Sequence, residues 1–149
     1  MKSEVVIKVQ KKREGAIIPR RATAGAAGMD LYACIDEDIT IKAGEAALIA
    51  TGIAIELPSK EVAAFVFARS GLATKFGISL ANSVGVVDSD YRGEIYVSLR
   101  NFSAKDYTVK QNERIAQMII MPVLPVSFFE VESLEGTVRG EGGFGSTGK

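Results

Sequence analysis

Apolar side chains recur at every second position along much of this chain, in short runs cut off by turn-forming residues. Ile39 and Ile41 alternate with Thr40 and Lys42, and Ile53, Ile55 and Leu57 with smaller or charged residues. Ile95, Val97 and Leu99 alternate with Tyr96, Ser98 and Arg100, and Val126 and Phe128 with Ser127 and Phe129. A period of two sets one row of side chains on one face of a strand, so the pattern predicts half-buried β-strands. The runs are separated by Ala43-Gly44, Pro58-Ser59, Asn101-Phe102-Ser103 and Gln111-Asn112-Glu113, residue types that favour turns. Many short strands spaced this way predict an all-β fold, a sandwich, jelly roll or barrel. At most one short helix is expected, around Gly71 to Lys75. At 149 residues the chain suits one domain with a sizeable core.

Two segments break the alternation. Ile115 to Met121 is apolar on both faces except for Gln117, so this strand needs cover from a second sheet or a partner subunit. Gln117 must then find hydrogen bonds or carry a cost of a few kcal/mol. The other segment is Arg139 to Lys149, rich in glycine. Its composition fits a disordered tail, but one arginine, one aromatic and two hydroxyls among glycines also fit a flap that wraps phosphate.

What the chain lacks narrows its chemistry. It has no histidine, which excludes a Ser-His-Asp triad and every His-containing zinc site. Cys34 is its only cysteine, which excludes intrachain disulfides and thiolate clusters; within Leu31-Tyr32-Ala33-Cys34-Ile35 it reads as a small buried hydrophobe. An enzyme built from this chain must use a carboxylate or lysine base, and any metal must be a hard ion held by oxygen. Eighteen basic and eighteen acidic residues balance, which argues against a nucleic-acid coat or a membrane-surface protein. No apolar run reaches 18 residues and Met1-Lys2-Ser3-Glu4 opens no signal peptide, so a soluble cytoplasmic protein without membrane attachment is expected.

Three polar clusters could carry chemistry. Arg69-Ser70-Gly71 follows an apolar strand from Ala63 to Ala68, joining a guanidinium fork, a hydroxyl and close backbone approach, which are phosphate-binding parts. Alone, the tripeptide reads first as a surface arginine at a strand end. Asp88-Ser89-Asp90-Tyr91-Arg92-Gly93 follows Val84-Gly85-Val86-Val87. It reads either as a hairpin turn or as a partly desolvated Asp88 able to act as a base on water. Asp30 lies beside glycines in Ala24-Gly25-Ala26-Ala27-Gly28-Met29-Asp30-Leu31, as a loop or strand-end carboxylate. Glu113 reads as a plain turn charge.

Taken together, the set closely resembles the trimeric deoxyuridine triphosphate nucleotidohydrolases (dUTPases), whose five ordered motifs all have counterparts here. They run from Ala24 to Ala33, from Ala68 to Ala73, from Asn82 to Gly93, from Glu113 to Met118, and along the tail from Arg139 to Gly148. Ala68 departs from the family's usual proline, and Gln111-Asn112 from its usual Gly-containing turn; neither removes a side chain the chemistry needs. The resemblance implies a jelly-roll-like β subunit, residues 1–138, closed by a C-terminal flap, residues 139–149, and assembled into a homotrimer whose sites are shared between subunits.

The activity it implies is attack of water on the α-phosphorus of dUTP, giving dUMP and pyrophosphate, which keeps uracil out of DNA and supplies dUMP for dTMP synthesis. By the same resemblance, Asp88 deprotonates the water and holds the 3′-hydroxyl, while Asn82 and the backbone near Val86 and Val87 read uracil. Tyr91 excludes a 2′-hydroxyl, and Tyr96 touches the nucleotide. Arg69, Ser70, Gly71 and Gln117 grip the phosphates and the water, and Mg²⁺ on the phosphates meets Asp30 through water. Phe144 stacks on uracil, and Arg139, Gly145, Ser146 and Thr147 close on the γ-phosphate end. Two rivals share the fold. A dCTP deaminase carries a second serine where Gly71 stands and a catalytic glutamate absent from the third motif here. A non-enzymatic regulatory relative is expected to lose Asp88 or the flap, and this chain keeps both.

Overall fold

The computed structural model describes residues 5–143, and the alternating runs become strands within it. These are β1 (Lys8–Lys11), β2 (Met29–Tyr32), β3 (Ile39–Ile41), β4 (Ala46–Ala50), β5 (Ile53–Glu56) and β6 (Val62–Phe67), then, after the helix α1 (Ser70–Phe76), β7 (Ile78–Leu80), β8 (Gly85–Val87), β9 (Tyr96–Asn101), β10 (Tyr107–Val109) and β11 (Arg114–Pro122). All pairings are antiparallel. They make a four-stranded sheet β2-β11-β6-β8, a three-stranded sheet β4-β9-β7, and the pairs β1-β5 and β3-β10. The all-β, jelly-roll-like class and the single short helix expected from the sequence are what form.

The inward row of each strand supplies the core. Leu31, Ile41, Ile49, Ile53, Ile78, Val97, Leu99, Val109 and Ile115 are fully buried, each side chain contributing about 1.5–3 kcal/mol relative to exposure. Cys34 is buried as a small hydrophobe, its Sγ donating to the Glu14 carbonyl at 3.5 Å. Between sheets, the Cys34 amide donates to the Ala50 carbonyl and the Ile95 amide to the Ile53 carbonyl, both at 2.8 Å. The helix starts beyond Arg69, whose backbone is extended, and stops at Gly77 in the left-handed region (φ +69°). There the Ser103 side chain lies too close for a Cβ, so only glycine combines that φ with that contact.

Two polar side chains among the described residues are buried in these apolar rows: Thr51, whose hydroxyl donates to the Ile95 carbonyl at 2.6 Å, and Asn101. Asn101 Nδ2 donates to the carbonyls of Ile41 (2.9 Å) and Lys105 (2.7 Å), and its Oδ1 accepts from Ser103 N (3.0 Å) and Oγ (2.8 Å). Asn101→Ala strands several of these partners at once. A loss of roughly 3 kcal/mol is expected, to be read as a lower midpoint in urea with an unchanged slope.

The last alternating run is the exception. No strand forms at Val126 and Phe128, contrary to the sequence expectation. Both are exposed, Phe128 almost fully at 99%, as are Leu124, Phe129, Leu134 and Val138. A period of two makes a strand only where a ladder partner exists, and none of the described strands pairs with this segment. β11 is likewise only partly covered: Ile115, Ala116 and Met118 are buried, while Ile119, Ile120 and Met121 remain half-exposed.

Candidate active site

The four-stranded sheet gathers one group of polar residues. β11 pairs with β2 so that Gln117 lies opposite Asp30, and with β6 so that Gln117 also lies opposite Phe67. The chain leaving β6 then carries Arg69, Ser70 and Gly71 to the same place. A cleft of about 380 Å³ has Asp30, Arg69, Ser70, Gly71, Arg114 and Gln117 in its walls. Three segments far apart in sequence meet there because strand register brings them together.

The charges in this cleft are ordered by hydrogen bonds. Arg69 Nε donates to Asp30 Oδ1 at 3.0 Å and Arg114 Nη1 to Asp30 Oδ2 at 3.2 Å, while Arg69 Nη1 also reaches the Arg114 carbonyl at 3.1 Å. Two guanidiniums on one carboxylate leave a net positive charge facing the cleft, suited to a polyanion. Gln117 Nε2 donates to the Ala68 carbonyl at 3.0 Å, which satisfies the polar residue in the otherwise apolar strand. Its Oε1 lies where a Cβ on Gly28 would stand, 2.7 Å away, so Gly28 makes room for that amide.

Glu113, read from sequence as a plain turn charge, is instead a structural acceptor. It takes bonds from the Tyr107 hydroxyl and, at 3.0 Å, from the Lys110 amide. Burial and this contact push the Tyr107 hydroxyl well above its ordinary pKa. The preceding Gln111-Asn112 departure is accommodated: Gln111 Oε1 accepts from the Ile35 amide at 2.7 Å. Asn112 adopts φ +63°, a region asparagine enters more readily than most residues.

A second cleft, of about 360 Å³, lies past the end of β8 and has Val86, Val87, Asp88, Tyr91, Glu94 and Tyr96 in its walls. Tyr91 folds back over Gly93, where any Cβ would overlap its ring, and its hydroxyl donates to the Glu94 carbonyl at 3.0 Å. Arg92 Nη1 ties the turn with bonds to the carbonyls of Ser89 (2.8 Å) and Tyr91 (3.0 Å). Asp88 is exposed at the strand end, so the partial desolvation expected of it is not supplied by the single chain. Asn82 sits at the opposite end of β8, outside this cleft.

Two residues in this region carry no sequence signal. Arg13 Nε donates to Glu94 Oε1 at 2.7 Å and Arg13 Nη2 to the Tyr96 hydroxyl at 3.1 Å, and the Gly52 amide donates to the same Glu94 oxygen at 2.9 Å. Burial pushes Glu94 up, but the bonds from Arg13, Tyr96 and Gly52 outweigh it and hold the carboxyl below its ordinary range. The same contacts raise Arg13 further above its already high value. Arg13 closes a basic run, Lys11-Lys12-Arg13, that looks like ordinary solvated charge.

The two clefts are far apart within one chain. Val87 is level with Ala64 on β6, which puts Asp88 level with Ala63. From Ala63 to Arg69 at about 3.3 Å per residue is roughly 20 Å. Arg139 is exposed and donates from Nε to the Gly142 carbonyl at 2.8 Å. Phe144, Gly145, Ser146 and Thr147 lie outside the described residues. No helix among the described residues is long and apolar enough to cross a membrane.

Comparison with known proteins gives one family. A family model described as dUTPase matches residues 14–148. The deoxyuridine 5′-triphosphate nucleotidohydrolase of Desulfitobacterium hafniense (strain DSM 10664 / DCB-2) is 52% identical over 145 residues, 97% of this chain and 96% of that protein. Its namesake from Neisseria meningitidis serogroup A is 51% identical over 148 residues, 99% of each chain. Among solved structures, the dUTPase of Staphylococcus bacteriophage 80alpha with dUPNHPP superposes with a TM-score of 0.87 at 24% identity, covering 97% of this chain and 99% of that one. A mutant dUTPase from phage phi11 of S. aureus, described as coordinating a structural Mg(II) ion, superposes with a TM-score of 0.79 at 20% identity, covering 88% and 99%.

Proposed function

Because this chain belongs to the dUTPase family, we infer that it is an enzyme that hydrolyses dUTP to dUMP and pyrophosphate. The observation that carries the reading is the identity of about half of all residues, over nearly the whole length, to proteins named for that activity. The two clefts fit the two ends of such a substrate. The cationic one around Arg69, Ser70, Gly71 and Gln117 suits a triphosphate, and the one around Val86, Val87, Tyr91 and Tyr96 suits a nucleoside. Asn82, at the other end of β8 from Asp88, is assigned to uracil by the family resemblance alone.

In the proposed reaction Asp88 accepts a proton as water oxygen bonds to the α-phosphorus. The bond from that phosphorus to the bridging oxygen breaks, and pyrophosphate leaves. Rate enhancement comes from holding the water in line and from cations already in place around the phosphates. The Asp30 pairings support the second part, since they fix Arg69 and Arg114 before any substrate arrives. Tyr91, packed on Gly93, stands against the deoxyribose and leaves no room for a 2′-hydroxyl.

Magnesium fits this donor set in one particular way. No group of three metal-binding side chains occurs among the described residues, and both Asp30 oxygens already accept from guanidiniums. A single such carboxylate suits a hard ion carried mainly by phosphate oxygens and water, with Asp30 meeting it through water. When bound, Mg²⁺ neutralises phosphate charge.

The proposed site is shared between subunits of a homotrimer. A separation of roughly 20 Å keeps Asp88 and Arg69 of one chain from acting on the same phosphorus. The apolar arm from Leu124 to Val138, exposed in the single chain, supports the assembly because such a patch calls for a partner. A cytoplasmic location accords with a free nucleotide substrate.

Pyrophosphate release from dUTP, compared with dTTP, dCTP and UTP, tests the reading. Release confined to dUTP is expected, since mismatched hydrogen bonds in a built site discriminate strongly. Ammonia from dCTP, or no pyrophosphate from dUTP, would overturn it. The flap belongs to the same proposal. Five of the eleven residues from Arg139 to Lys149 are glycine, so their deletion removes little apolar burial and should leave the melting temperature near that of the intact protein. kcat/KM for dUTP should fall by on the order of tenfold to a hundredfold, and Phe144→Ala should reproduce part of that through a lost stacking contact of roughly 1–3 kcal/mol. Unaltered kinetics after deletion would remove the tail from the site.

A further inference from the structure

We propose that Arg13 and Glu94 are positioning residues for nucleoside recognition, a clamp that sets where the Tyr91 and Tyr96 rings stand beside Asp88. The proposal rests on the dUTP reading of this cleft and adds two residues to it.

Glu94 anchors both tyrosines by different routes. Its backbone carbonyl accepts the Tyr91 hydroxyl at 3.0 Å. Its carboxylate is fixed by the Gly52 amide at 2.9 Å and by Arg13 Nε at 2.7 Å, and the second arm of Arg13 reaches the Tyr96 hydroxyl at 3.1 Å. The Glu94 side chain is only 13% exposed, so it is a fixed post rather than a floating surface charge. Gly52 holds that post in turn. It adopts φ +71°, and Ala16 and Cys34 crowd it so closely that no side chain fits. The nucleoside cleft is thereby tied to the turn after β1, outside the five family motifs.

The chemistry of arginine explains why the clamp is not a generic ion pair. Its planar fork presents separate N–H groups to two acceptors in fixed directions, whereas a lysine ammonium is a point charge on a flexible stem. Lysine at position 13 can keep the attraction to Glu94 without holding the Tyr96 oxygen. Loosening the clamp lets both rings shift, and the space for a 2′-hydroxyl opens.

Steady-state kinetics on dUTP and UTP test this, using the full chain with Arg13→Gln, Arg13→Lys and Tyr96→Phe. Lys8→Gln serves as the control, because it breaks another ion pair, Lys8 to Glu56 at 2.8 Å, on the β1-β5 edge. All three clamp variants should raise the UTP/dUTP ratio of kcat/KM, by about tenfold for the two Arg13 variants. The change should appear mainly as a lower KM for UTP, and the control should leave the ratio where it was. Wild-type ratios in Arg13→Gln, with or without a lower melting temperature, would overturn the proposal and reduce the pair to a structural contact. A wild-type ratio in Arg13→Lys would overturn the two-partner clamp. Neither result touches the dUTP reading, which falls only if the unaltered protein fails to hydrolyse dUTP in the same assay.

Discussion

Asp88→Asn is expected to lower kcat for dUTP by on the order of a hundredfold or more while KM changes little. The amide matches the carboxylate in size and can still accept a bond from the 3′-hydroxyl, but it cannot take the proton of the attacking water. With no histidine anywhere in the chain, no ordinary imidazole base can replace it. Fold should be unaffected, because Asp88 is exposed at the end of β8 and makes no side-chain bond in the described structure. Single-turnover kinetics with dUTP, alongside equilibrium binding of a non-hydrolysable analogue, separate the two effects. A kcat near the wild-type value would remove Asp88 from the role of base.

A mixture of two inactive chains is expected to regain activity. Arg69→Gln should itself cost on the order of a hundredfold, since it removes a guanidinium that the proposed site uses to hold the phosphates. If each site takes Asp88 from one chain and Arg69 from another, chains carrying Asp88→Asn and chains carrying Arg69→Gln can complete each other. In a cyclic trimer assembled at random from equal amounts, a site is intact when its Asp88 comes from an Arg69→Gln chain and its Arg69 from an Asp88→Asn chain, which holds for about one quarter of sites. Co-expression of differently tagged chains, purification of the mixed species and a dUTP assay measure this. Activity no higher than that of either parent would place the site within one chain.

Much of the β framework was legible because burial on one side forces a period of two. Ile39/Ile41, Ile53/Ile55 and Val97/Leu99 all point where their alternation puts them. Val126 and Phe128 carry the same signal without becoming a strand, because periodicity records which face is apolar and not whether a neighbour exists to accept its backbone. Gln117 was legible as an anomaly, a polar side chain in an apolar strand that needed partners. Arg13 and Glu94 were not, since they meet across 81 positions of sequence and neither residue is unusual in its own neighbourhood. Glu113 was misread for a similar reason. Its acceptor role depends on Tyr107 and Lys110 being folded back towards it, and a turn composition contains no such information.

The apolar arm beyond β11 also bears on how the protein is made. Residues 123–138 follow every described strand, and synthesis at ~5–20 residues per second delivers them only after the framework strands are complete. The early strands, β1 to β8, can therefore begin to pair before Phe128 and Phe129 exist as competing apolar surface. An exposed hydrophobic segment of this kind would be hazardous early in the chain, where unpaired strand edges are still open to it. Placed here, it arrives last, when the edges of the early strands are less open to it, and the proposed trimer gives it an intermolecular outlet. Fluorescence-detected refolding should accordingly show a first phase independent of protein concentration and a later one that accelerates with it.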